Sequence, residues 1–256
     1  MIMKKAIFKC HYFGNPNHPA ILLIHGMGFY WEKCFAGMVG VLQKKYYCII
    51  PELTGHHNEN RTEKVSLEDI VSVIERELKL HQISKIRTLY GISFGASIAV
   101  ELAFRRNVKI NQLVIDGAQF VNLGWMKKIS AFVMAKQFKN VAKGKHMNAY
   151  VKGQLGYQDT NEISIFRKLM CENISENVLY KSAYECYRYD ICKKGDLDCN
   201  LYYLYGEKEA FAVASKKLIQ KKVNGIFGEK MFENSGHAEI LGDKPETLMD
   251  IFMSIV

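Results

Sequence analysis

The chain has 256 residues, 48% of them hydrophobic, with only four prolines and no long polar tract, a composition that excludes a disordered protein and allows a large buried core. Its seven cysteines (Cys10, Cys34, Cys48, Cys171, Cys186, Cys192, Cys199) are odd in number, scattered and without a CxxC pair, which points to free thiols in a reducing compartment rather than a disulfide framework. The net charge of +9 is uneven: between Val121 and Thr160 stand seven lysines and one acid, Asp159, a stretch suited to solubility or to anionic substrates, lipid headgroups or nucleic acid.

The first ten residues carry Lys4 and Lys5 but no apolar core of signal-peptide length. No apolar run is long enough to span a bilayer, so a soluble, cytoplasmic protein without a transmembrane segment is the expectation. Short runs apolar on both alternating faces follow: Ala20 to Ile24, Tyr46 to Ile50, Ile86 to Tyr90, Gln112 to Ile115 and Leu201 to Tyr205. Such runs suit a parallel sheet covered by helices on both sides. Helical stretches are predicted between and after them, over 31–44, 66–81, 94–106, 211–222 and 244–255, and the alternation argues for a wound α/β sheet with right-handed crossovers. Ser66 with Asp69, and Asp243 with Glu246, have capping-box spacing. The stretch from Ala96 to Phe104 is apolar nearly all round and is expected to lie buried behind the sheet.

The alternation stops between about Phe120 and Ile191. Two to four helices without a strand are read there, which makes 120–191 a helical cap inserted between core segments 1–119 and 192–256. Within it Trp125, Ile129, Phe132 and Val133 recur at helical spacing. Packing of this stripe on the core is the plain expectation; a pocket roof or a membrane-surface contact are the alternatives.

Chemistry concentrates in three places. Ser93 sits in Gly91-Ile92-Ser93-Phe94-Gly95, between an apolar run and the buried helix, where the glycines let a sharp strand-to-helix turn expose the hydroxyl. An ordinary serine cap would need neither glycine. A serine hydroxyl needs a base, and the base needs a carboxylate to fix its tautomer, in the chain order Ser, acid, His. His237, in Asn234-Ser235-Gly236-His237, is the base by order and loop position; His56 and His57 precede Ser93. For the acid, Glu209 stands just past the end of the run Leu201 to Tyr205, with Asp116 and Glu207 as alternatives near strand ends. His25-Gly26-Met27-Gly28 follows the first buried run, and the amides of Met27 and Phe94 are the candidate oxyanion donors, with His25 bracing the loop. A phosphate-cradling loop lacks its lysine and its GxGxxG spacing, and the last three cysteines match no common metal-ligand pattern.

These motifs, in this order, resemble the α/β-hydrolase superfamily from about Ala20 to Val256. The resemblance implies an α/β-hydrolase fold: a mostly parallel eight-stranded sheet flanked by helices, a helical cap after the sixth strand, and an antiparallel edge strand over Lys4 to Phe13. It further implies a serine hydrolase of the carboxylesterase or lipase kind, with Ser93 as nucleophile, His237 as base, Glu209 as its partner, and no metal or organic cofactor. The expected substrate is a small acyl ester or thioester, anionic and lipid-like ones included, and no nucleic acid. Acyl transfer or carbon–carbon bond hydrolysis would use the same residues, and a low-turnover ligand-binding protein is the reading from another class. Two positions depart from the common pattern: Glu209 and Glu52 stand where relatives commonly carry Asp, and Glu52 is expected to be structural.

Overall fold

The computed structural model describes residues 9–56 and 65–255. Cys10–Phe13 forms β1, Ala20–Ile24 β2, Trp31–Leu42 α1, Tyr47–Pro51 β3, Leu67–Leu80 α2, Lys85–Ile92 β4, Phe94–Arg105 α3 and Lys109–Asp116 β5. Four helices follow: Lys127–Ala142 (α4), Ala149–Gln154 (α5), Thr160–Lys168 (α6) and Glu176–Arg188 (α7). The alternation then resumes with Asn200–Gly206 (β6), Ala210–Gln220 (α8), Phe227–Phe232 (β7), Glu239–Asp243 (α9) and Pro245–Ile255 (α10).

The strands form one sheet in the order β1-β3-β2-β4-β5-β6-β7, parallel except for β1, which runs antiparallel to β3. Residues Ile21 to Ile24 are wholly buried, as the continuous apolar runs require of strands covered on both faces. Because β2, β4, β5 and β6 are parallel neighbours, their carboxyl ends meet at one edge, where Ile24 lies opposite Gly91 and Ile92 opposite Asp116. This edge receives the loops that carry the candidate residues.

The sheet has seven strands among the described residues, one fewer than the eight implied. Only six residues separate Phe13 from Ala20, room for a turn but not for a further antiparallel strand. Of the edge strand expected over Lys4 to Phe13, Cys10–Phe13 is present, and Lys4 to Phe8 lie outside the described residues, as does His57. Among the described residues the inserted helices follow β5, the fifth strand in chain order. At Ser66 the predicted cap is made, its hydroxyl accepting from the Asp69 amide. At Asp243 it is not: Asp243 closes α9, and Pro245, whose fixed φ suits a first helical position, opens α10.

The inserted helices seal the carboxyl edge. Tyr30 donates its amide to the Leu169 carbonyl at 2.8 Å and Cys171 to that of Gly28 at 2.8 Å, which ties the loop after β2 to the segment between α6 and α7. Helix α4 packs on α7 and buries Ala131, Met134, Ala135 and Phe138. The expected packing of Trp125, Ile129 and Phe132 on the core is contradicted. All three are exposed and only Val133 is half-buried, because the opposite side of the helix already makes the packing contact. No helix of the described residues is long and apolar enough to cross a membrane.

Candidate active site

Between β4 and α3 the chain reverses through a single residue. Ser93 has φ 56° and ψ −118°, a conformation that strains any residue with a side chain by about 1–3 kcal/mol. Neighbouring bonds hold it there: the Ser93 amide donates to the Asp116 carbonyl on β5 at 2.8 Å. A Cβ on Gly91 would lie 2.3 Å from the Gly95 carbonyl oxygen, and one on Gly95 would lie 2.3 Å from that of Ile24, so the two glycines of the pentapeptide are required by contact.

The loop after β2 packs against this turn, since a Cβ on Gly26 would come within 3.0 Å of the Ser93 Cβ. His25 braces it as expected. Its Nδ1 donates to the Gly26 carbonyl at 3.0 Å, and its Nε2 accepts from the Leu53 amide at 3.2 Å, a pair of bonds that one neutral tautomer satisfies. Phe94 is wholly buried and, as the first residue of α3, carries an amide with no partner inside the helix.

Glu209 and His237 are both buried and bonded to each other. His237 Nδ1 donates to Glu209 Oε2 at 2.7 Å, while Glu209 Oε1 accepts from the Gly206 amide at 2.7 Å. The longer glutamate is thus accommodated by folding back on the strand end that precedes it. Burial alone would lower the His237 pKa, but the charge and hydrogen bond of Glu209, with the charge of Asp116, outweigh it and raise the value above the ordinary one. Asp116 makes a different bond, accepting from the Tyr90 hydroxyl at 2.8 Å. Glu207 lies apart, bracing the loop before His237 by accepting from the Asn234 amide at 2.9 Å. Glu52 is held by His11 and Trp31, at 2.9 Å and 3.0 Å, in the structural setting expected of it.

Burial, followed by the nearby charge of Glu209, pushes the Asp116 carboxyl from its usual value of 3.8 up to about 7. A group whose folded pKa is raised adds stability that is fully present below the unfolded value and is lost as pH rises through the folded one. Asp116→Asn should remove that loss. In thermal melts the Tm difference, variant minus wild type, is expected to grow in favour of the variant between about pH 4 and pH 8. A constant difference would mean that Asp116 does not titrate in this window.

Ser93, Glu209, His237 and Met27 line one cavity of about 60 Å³, closed mostly by apolar groups that include Met134 and Phe138 of α4 and Tyr187 of α7. Asp116, Glu207 and His56 are not among the lining residues. Two contributors escaped sequence reasoning. Gly117, at φ 51°, leaves the space taken by the acid–histidine pair: a Cβ there would stand 2.8 Å from His237 Nδ1 and 2.9 Å from Glu209 Oε2. Its signal was a glycine directly after a strand end. Tyr157 donates its hydroxyl to the His237 carbonyl at 2.6 Å, and the His237 amide donates to the Leu155 carbonyl at 2.8 Å, so the inserted helices grip the histidine loop. Nothing in the local pattern around Tyr157 signalled this.

The arrangement offers a serine on a strained backbone turn, an imidazole whose Nδ1 is bonded to a carboxylate, and the loop after β2 packed against that turn. Nucleophilic acyl chemistry needs these parts. The sequence profile of the alpha/beta hydrolase family matches residues 21–249. A solved structure from Desulfitobacterium hafniense, described as of the alpha/beta hydrolase family, superposes with a TM-score of 0.93 at 34% identity, over 96% of this chain and 99% of that one. An esterase from Exiguobacterium antarcticum shares the fold, with a TM-score of 0.76 at 16% identity over 97% and 96% of the two chains. An AB hydrolase superfamily protein from Gibberella zeae is 28% identical over 111 residues, 43% of this chain. That match spans 38% of the length of the curated relative.

Proposed function

Because the chain belongs to the alpha/beta hydrolase family, we propose that it is a serine hydrolase that cleaves a small carboxylic ester or thioester through an acyl-enzyme. The observation that carries this reading is the 2.7 Å bond between His237 and Glu209 on the wall of the cavity that Ser93 also lines. Segments 1–119 and 192–256 are read as the catalytic core and 120–191 as its cap, and the seven free thiols fit a reducing, cytoplasmic setting.

In this mechanism Ser93 Oγ attacks the carbonyl carbon and passes its proton to His237 Nε2, the nitrogen left open once Nδ1 is bonded to Glu209. Glu209 stabilises the imidazolium that forms. The amides of Met27 and Phe94 hold the oxyanion, the second of them aided by the positive end of the α3 dipole. Collapse returns the proton to the departing alcohol or thiol and leaves an ester on Ser93. Water then repeats the sequence in reverse, freeing the acid and the serine. No cofactor enters any step.

A cavity of about 60 Å³ with mainly apolar walls suits a short acyl chain. p-Nitrophenyl esters graded in length provide the test. Rapid mixing should give a burst of one nitrophenolate per active site before a slower steady rate, with kcat/KM falling beyond short acyl groups. A folded protein that turns over none of the series would be a ligand binder on this scaffold rather than a hydrolase.

A further inference from the structure

The outer side of α4, with the short turn that leads into it, carries a feature that the hydrolytic reading does not use. Trp125 and Met126, in the 3-10 turn over residues 124–126, and Ile129 and Phe132, in the first half of α4, are 83%, 45%, 61% and 55% exposed. Rotating the helix would not hide them, because Met134 and Phe138 on its other side already wall the cavity. Four large apolar side chains exposed within eight residues mark an interaction site.

Charge decides among the occupants. From Val121 to Gln158 the sequence holds seven lysines and no acid. Lys139 is turned inward onto the Ile174 carbonyl, but Lys128 and Lys136 are exposed beside the stripe, and Lys143 and Lys145 are exposed where α4 ends. A second copy of the chain meeting this face about a two-fold axis would set lysines against lysines. An RNA or DNA backbone would satisfy the lysines and leave the apolar stripe in water. An anionic lipid surface satisfies both. The aromatic and aliphatic groups enter the headgroup boundary, with Trp125 suited to that depth, while the lysine stems extend to the phosphates.

We infer that the outer face of α4, together with the turn before it that carries Trp125, is a docking surface for anionic lipid bilayers. This surface is separate from the cavity, so it stands or falls independently of the acyl-enzyme chemistry. It also places the roof of the active site directly against the membrane.

The test uses the whole chain and vesicles of phosphatidylcholine with and without phosphatidylglycerol. Of the two tryptophans Trp31 is buried, so a shift in emission reports Trp125. The expected result is a blue shift and co-sedimentation with phosphatidylglycerol vesicles only, weakened by added salt. The combined variant Trp125→Ser, Ile129→Ser, Phe132→Ser should bind roughly tenfold or more weakly while cleaving a soluble ester at the wild-type rate. Lys128→Glu with Lys136→Glu should lose binding while keeping the same melting temperature. No binding to either vesicle overturns the proposal, as does undiminished binding by the serine variant. A wild-type dimer that this variant converts to a monomer would assign the face to a second copy instead.

Discussion

Ser93→Ala is expected to lower kcat for ester hydrolysis by about 10⁴- to 10⁶-fold with little change in KM, because it removes the group that forms the acyl-enzyme and leaves the cavity walls in place. His237→Ala should cost about as much, and the double variant hardly more, since the two act as one unit in the same proton transfer. The fold should tolerate the serine change: its strain belongs to the backbone turn, and Gly91, Gly95 and the bond from residue 93 to the Asp116 carbonyl are untouched. Equal thermal melts for wild type and Ser93→Ala would separate chemistry from stability. A Ser93→Ala enzyme retaining a tenth of the wild-type rate would place the nucleophile elsewhere.

Glu209→Gln is expected to cost about 10³- to 10⁴-fold, and Asp116→Asn about tenfold or less. The difference follows from the two hydrogen bonds on Glu209. The Gly206 amide, 2.7 Å from Oε1, must be met by an acceptor, so a glutamine would keep its carbonyl there and turn its NH₂ toward His237. Nδ1 would then have to accept, the imidazole proton would sit on Nε2, and the nitrogen that the proposed mechanism uses as base would be blocked. Asp116 exerts no such control. Its carboxylate is bonded to the Tyr90 hydroxyl rather than to His237, and it is not among the groups that line the cavity. Kinetics of both variants on one ester would rank them, and the reverse ranking would transfer the role to Asp116.

Where an element depends on its own residues, it was legible in the sequence. Strands β2 to β6 stood out because both faces are largely covered, and the turn at Ser93 because Gly91 and Gly95 answer contacts within 2.3 Å. Order along the chain singled out Glu209 and His237, and the structure brings the two side chains together. What escaped depends on distant partners. Tyr157 matters through a carbonyl 80 residues away, and Gly117 matters because two side chains from other loops fill the space beside it. The exposure of Trp125, Ile129 and Phe132 was not legible for the complementary reason. Helical spacing suggests a shared face, but Trp125 falls in the turn before α4, and whether a face meets the core is decided by the elements opposite, here α7. The extra methylene of Glu209 departs from the common pattern in the sequence, and in the fold it reaches back to Gly206.

The central claim is that Ser93 is a nucleophile activated by the His237–Glu209 pair. It is tested most directly by incubating the folded protein with a fluorophosphonate and mapping the adduct by peptide mass spectrometry. A single adduct on Ser93 is expected, formed by the wild type, lost in Ser93→Ala and strongly slowed in Glu209→Gln. A folded wild type that takes up no label, or an adduct on any other residue, would contradict it.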